Sequence, residues 1–211
     1  MKGIKDQSIV LMLLTLTGIV PALFYYLSAG KEIFLGLTWN VFLALLPFYF
    51  AIKSVSSGHR MIKYFNTFLW LIFLPNAPYL ITDIIHVNRN HGYEGFIVYL
   101  VAIMSFTGLL SWLFSVRLML SRLPGKLRLW KKFSYFAYPA LCILSAVGVS
   151  MGRFARLNSW ELLYNPFGVL LSTIKMYAHF WPWVITLGMY LVLIWIRKID
   201  FGKLSLFNVQ K

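Results

Sequence analysis

Long uncharged stretches alternate with short charged connections along the whole chain. Six intervals without Asp, Glu, Lys or Arg stand out, at 7–30, 33–52, 64–82, 95–116, 133–152 and 176–196. A helix crossing a hydrocarbon core of about 30 Å needs about 20 such residues, so every interval is long enough to span. A seventh interval, 162–174, is only a little over half as long as the first. It is too short to cross, and predicts a half-length helix at one face of the membrane. The expected fold class is all-α, a polytopic membrane helix bundle forming one integral membrane domain over residues 1–211. It has six transmembrane helices at about 8–28, 33–53, 64–86, 95–119, 133–152 and 177–197, with the half-helix at 160–174 in the outer leaflet.

Composition narrows the class further. Of the 211 residues, 60% are hydrophobic and 12% charged, against about 25% charged in soluble domains. A soluble globular enzyme, a disordered chain and a disulfide scaffold are thereby excluded. The one cysteine, Cys142, lies inside an apolar run and has no disulfide partner in the chain. The net charge of +14 finds its explanation in topology. With the N-terminus inside, 15 Lys and Arg fall on the inner side of the spans and 5 on the outer side. That asymmetry predicts both termini in the cytoplasm of a plasma-membrane protein. The first interval, 7–30, exceeds the core of a cleaved signal peptide, and Leu27 spoils a small-residue exit at Ser28-Ala29-Gly30. A retained first span is expected. The basic connection from Arg117 to Lys132 reads as a partner for anionic lipid headgroups. Nucleic acid is not an expected partner, because aromatic residues other than Trp130 and Phe133 do not interleave with these charges. The sequence does not specify a protein partner or a cofactor, and both are left as unknown.

Polar residues inside apolar spans are costly and tend to mark function or helix contacts. The most unusual run is Leu74-Pro75-Asn76-Ala77-Pro78-Tyr79, followed by Thr82-Asp83 and His86. Its two prolines remove backbone donors and disfavour helix at Leu74 and Ala77, so the third span should break or kink there. If helix resumes at Pro78, Tyr79, Asp83 and His86 share one face. The fixed rise of an α-helix, about 1.5 Å per residue, brings Asn40 and Asn76 to similar depths, which permits a contact between them. Arg153, Arg156, Asn158, Ser159, Trp160 and Glu161 follow the fifth span, and His179 opens the last one. All of these fall on the extracytoplasmic side of the predicted topology.

Trp39-Asn40 with Pro47, the run Phe73 to Tyr79 with Thr82-Asp83 and His86, and Gly152-Arg153-Phe154 with Asn158-Ser159-Trp160-Glu161 carry a family resemblance. The chain resembles, from about residue 33 to 197, an uncharacterised bacterial integral-membrane family, domain of unknown function 1361. Glu161 stands where the resemblance implies an aspartate, which keeps the carboxylate. The resemblance implies a membrane protein and no activity.

Two chemical readings follow from the polar set. Asp83, His86, Arg153 and Glu161 form a candidate catalytic group, with the carboxylates as general acid and base and the arginines binding an anionic part of the substrate. Asn40, Asn76, Tyr79, Arg156 and Asn158 are the candidate substrate-binding residues. The competing reading is structural, with Asp83 paired to Arg153 or Arg89 and the loop 153–161 pinned to the third span. A metal held by Asp83 and His86 with His179 or Glu161 lacks a supporting motif, and no metal ligand is assigned. Trp39, Trp160, Trp181 and Trp183 read as an outer aromatic belt, and Gly108, Gly148 and Gly188 as close helix-packing points. The expected function is binding or processing of a periplasmic-side or lipid-linked substrate at the extracytoplasmic face. Small-solute transport is the alternative, and a non-catalytic membrane subunit or assembly factor a further one.

Overall fold

A computed structural model describes residues 2–30, 32–89, 94–121 and 128–196, with side chains for 3–30, 32–84, 95–121 and 136–196. The described residues are almost entirely helical and contain no strand. Helix α1 (Lys2–Ala29) is closed by Gly30, whose positive φ of 63° lets its N–H return to the Tyr26 carbonyl at 2.9 Å. Helix α2 (Glu32–Ser56) runs back beside it. The third span follows as α3 (Arg60–Phe73), α4 (Asn76–Tyr79) and a 3₁₀ stretch, Leu80–Arg89. Then come α5 (Glu94–Ser121) and α6 (Arg128–Ser150), the latter extended by a π-helical turn, Met151–Ala155. Short helices α7 (Glu161–Tyr164) and α8 (Pro166–Met176) lead into α9 (Phe180–Ile196).

Helices α2 and α5 form the centre. Helix α1 packs on both, the third span packs on both, and α6 pairs with α9 and meets α4. Phe34, Leu37, Val41, Leu100, Met104, Trp112 and Leu113 are buried in this core. Phe24, Leu27, Phe65, Phe136, Leu187 and Trp195 are exposed. Such an apolar exterior suits hydrocarbon, where only internally hydrogen-bonded helices are tolerated. Because lipid gives apolar side chains no reason to leave it, hydrogen bonds between helices take on part of the cohesion. Ser111 Oγ donates to the Ala44 carbonyl at 2.7 Å, Trp112 Nε1 to Ser145 Oγ at 2.8 Å, and Tyr138 Oη to the Leu193 carbonyl at 3.1 Å.

Five helical stretches are long and apolar enough to cross a membrane: Gly3–Ala29, Glu32–Ser56, Arg60–Ile84, Gly95–Ser121 and Phe136–Ala155. A sixth arises when α8 and α9 are taken as one bent pair. The protein is thus an all-α polytopic bundle. At the third span the expected interruption takes a mild form. Leu74 (φ −52°, ψ −40°) and Pro75 (φ −65°, ψ −23°) stay in the right-handed helical region. The prolines therefore interrupt the hydrogen-bond ladder while the span runs on through Ile84. Beyond Tyr79 the chain tightens into 3₁₀ geometry, in which residues three apart eclipse.

Small residues make room for the prolines. A Cβ on Gly148 would come within 2.5 Å of the Pro75 ring, and one on Gly108 would strike the Ala77 carbonyl oxygen. These glycines let α5 and α6 approach the interrupted span. Gly188 does not behave this way, since nothing lies within 4 Å of a Cβ built there.

The half-length segment is divided at Asn165-Pro166. Asn165 Oδ1 caps α8 by accepting from Gly168 N–H at 3.0 Å, and Pro166 occupies its first turn. Helix α8 meets α9 at 102°. Phe167, Leu170, Leu171 and Ile174 are all exposed, a stripe at i, i+3, i+4 and i+7.

Candidate functional site

Near the end of the bundle where α6 finishes, the third span, α2, α6 and the segment from Met151 to Leu162 enclose a cavity of about 540 Å³. Its polar wall comes from Asn40, Asn76, Tyr79, Arg153, Arg156, Asn158 and Ser159. Its apolar wall includes Leu43, Leu71, Ile72, Leu144, Val147 and Leu162. Two of the four candidate catalytic residues lie apart from it: Asp83 sits behind the wall and Glu161 beside the loop.

Each polar side chain is held by a local feature. Asn40 projects from α2 and donates Nδ2–H to Asp83 Oδ2 at 2.9 Å. Asp83, at 1% exposure, has its other oxygen 3.9 Å from Arg153 Nη1. The amide and the cation both offset the burial of this carboxylate. The depth-matched contact anticipated between Asn40 and Asn76 is not made, because the carboxylate is the stronger acceptor for Asn40. Asn76, just past the proline turn, instead accepts from Ser159 Oγ at 2.9 Å. That bond ties the third span to the loop 153–161.

The π-helical turn sets the position of Arg153. One widened turn at the end of α6 shifts the residues after it, a common device at functional sites. Gly152 allows the turn to lie against the third span, since a Cβ there would meet the Tyr79 ring at 3.0 Å. The chain then reverses at Arg156, which adopts the left-handed region (φ 54°, ψ 31°). Its N–H closes on the Met151 carbonyl. A non-glycine residue held there marks a conformation imposed by its surroundings.

Glu161 has a structural occupation. Its Oε1 accepts from the Asn158 backbone N–H at 2.8 Å and from Asn158 Nδ2 at 3.1 Å. It closes the turn leading into α7 and does not line the cavity. His86 falls in the 3₁₀ stretch, but its side chain lies outside the described residues, as do those of Arg89 and Glu94. His179 is exposed, away from the cavity wall. Among the described residues, no three His, Cys, Asp or Glu side chains gather to hold a metal ion. Trp160 lines the cavity, whereas Trp39, Trp181 and Trp183 are exposed on the exterior.

Electrostatically, the cavity wall contains two guanidinium groups and, among the described residues, no carboxylate. Two buried nitrogens on residues of this wall, Arg153 Nη2 and Asn76 Nδ2, have no hydrogen-bond partner among the described residues. Both are donors, so the wall holds two N–H groups without an acceptor among the described residues. Sequence reasoning missed Ser159 as the partner of Asn76 and missed the π-helical turn. The first was visible as a polar residue beside Asn158, while the second has no residue signature.

The fold and the cavity define a class: an all-α polytopic bundle with a polar cavity near one end, walled by interior helices and a reversing loop. Within that class the chain belongs to the family described as protein of unknown function (DUF1361), whose model matches residues 39–196. The matched region starts at Trp39 and contains all three signature stretches. No curated protein and no solved structure matches the chain.

Proposed function

We propose that this protein binds or processes a periplasmic-side or lipid-linked substrate in the cavity beside Arg153. In this reading the cavity opens toward the extracytoplasmic side of the plasma membrane and both termini are cytoplasmic. The observation that carries it is the convergence of Asn40, Asn76, Arg153, Arg156 and Asn158 on one cavity at one end of the bundle. A few convergent polar groups in a concave, largely apolar site are what fix a ligand's orientation. The distribution of basic residues supports the orientation, because the inner connections carry 15 of the 20 Lys and Arg.

Transport is the second reading, favoured by the interrupted third span beside the cavity. Against it, the core of α5 below the cavity buries Trp112, Leu113, Phe114 and Val116, and its buried hydroxyls, Thr107, Ser111 and Ser115, donate to backbone carbonyls of the bundle. An outward-facing binding or catalytic site needs no such path.

The test is complementation of a deletion strain. Arg156→Ala and Tyr79→Phe alter the cavity wall, and both are expected to preserve membrane insertion and protein level while failing to restore the deletion phenotype. Full rescue by both variants would overturn the assignment of the cavity as the functional site.

A further inference from the structure

We infer that the ligand of this cavity is a phosphate-bearing lipid, with its headgroup at Arg153 and Arg156 and its chain leaving sideways between α3 and α6. The inference rests on the cavity being the functional site and adds the ligand's chemical class.

Charge is the first argument. The wall carries two guanidinium groups and, among the described residues, no carboxylate. The nearest described acid, Asp83, stands behind Arg153 at 3.9 Å and engages only one side of it. Arg156 makes no ion pair among the described residues. Arg153, at 14% exposure, and Arg156, exposed at the cavity wall, are both cations, so an anion in the cavity would engage charges that a neutral or cationic ligand would not.

The second argument is a pair of buried donors. Arg153 Nη2 and Asn76 Nδ2 are buried without acceptors among the described residues. They sit on different segments, the π-helical turn and the third span, and Arg156 adds donors from the loop. A headgroup rich in acceptor oxygens that point in several directions suits donors arriving from three segments. A phosphate offers this geometry more fully than a planar carboxylate.

The third argument is the side exit. Leu71 on α3 and Leu144 on α6 line the cavity and are also exposed, as is Leu162 on α7. Helix α3 packs on α2, while α6 reaches the third span at α4, beside the proline turn. The gap between α3 and α6 therefore joins the polar pocket to the apolar exterior. A lipid can place its phosphate at the arginines while its acyl chain stays among other acyl chains. A water-soluble anion would have no use for this apolar wall.

The test uses the full-length protein in detergent, with three probes: dioleoyl phosphatidic acid, dioleoylglycerol and inorganic phosphate. Retention is read by native mass spectrometry, and binding by the shift in thermal unfolding. Phosphatidic acid should be retained and raise the unfolding midpoint, while dioleoylglycerol, which has the same chains without phosphate, should do neither. Because Arg153→Ala takes a cation from beside the buried Asp83, the diagnostic variant is Asn76→Asp. It keeps the acceptor for Ser159 but replaces a donor with a negative charge, and should weaken phosphatidic acid retention by about tenfold or more. Leu144→Trp should narrow the side exit and reduce retention of phosphatidic acid without affecting inorganic phosphate. Equal retention of dioleoylglycerol, or unchanged retention by Asn76→Asp, would overturn the inference. Binding of inorganic phosphate without phosphatidic acid would also overturn it, while leaving the cavity as the functional site if Arg156→Ala still fails complementation. Failure of the cavity itself would appear separately, as full rescue by both Arg156→Ala and Tyr79→Phe.

Discussion

Arg156 combines a strained backbone with a place on the cavity wall. An L-residue in the left-handed helical region is disfavoured by roughly 1–2 kcal/mol relative to the right-handed one. Glycine avoids that cost, at the expense of greater freedom in the unfolded chain. Arg156→Gly should therefore be about 1 kcal/mol more stable than Arg156→Ala, as read by thermal unfolding in detergent. Both variants should show the same loss of function. Equal stability of the two would mean that the reversal at residue 156 adopts another conformation. The polar residues of the cavity wall were visible in the sequence because Asn40, Asn76, Arg153 and Asn158 interrupt or border apolar runs, where polarity needs a reason. Their pairing was not. Depth alone matches Asn40 with Asn76, yet the carboxylate of Asp83 takes Asn40 and leaves Asn76 to Ser159. Competition among acceptors is decided in three dimensions, and spacing along the chain does not carry it.

At the scale of elements, the third span depends on its neighbours. Pro75 and Pro78 take two donors out of the ladder, and the span is held by α5 and α6 pressing close through Gly108 and Gly148. A methyl group on Gly148 would sit 2.5 Å from the Pro75 ring. Gly148→Ala should thus destabilise the protein by about 1–3 kcal/mol, the usual cost of overpacking a close contact. Unfolding in detergent checks this, with Gly188→Ala as a control that should cost little, since that site is open. A wild-type midpoint for Gly148→Ala would show that α6 can withdraw freely from the turn. The interruption was legible from proline chemistry. The continued direction of the span was not, because it depends on α5 and α6 bracing the turn. The 3₁₀ stretch after Tyr79 likewise has no residue type that selects it, so of a helical face drawn through Tyr79, Asp83 and His86 only the last two, three apart, stay aligned.

For the whole molecule, apolar periodicity and charge spacing made the helical class and most of the span count readable. The sixth crossing is less regular, since α8 turns into α9 at 102°. The interval lengths treat 162–174 and 176–196 as separate pieces, and the angle between them is a tertiary property. Orientation has a direct check. Cysteines placed at Asn90 and Gly125, both outside the described residues, should differ in reaction with an impermeant thiol reagent applied to intact cells. Labelling is expected at Asn90 only. The native Cys142 is buried and gives no background. Labelling at Gly125 from outside would invert the topology and put the cavity on the cytoplasmic side.

The contact between Asn40, Asp83 and Arg153 also orders the birth of the protein. Asn40 precedes Asp83 in the chain by 43 residues, and Arg153 is made last. As the third span leaves the ribosome and enters the bilayer, its carboxylate can meet the amide on α2 long before the guanidinium exists. The first half of the molecule must therefore shelter this acid through the synthesis of α5 and α6, until the π-helical turn delivers Arg153 beside it. A ribosome stalled before residue 153 would hold an intermediate in which Asn40 and Asp83 have met and the cavity still lacks its arginines.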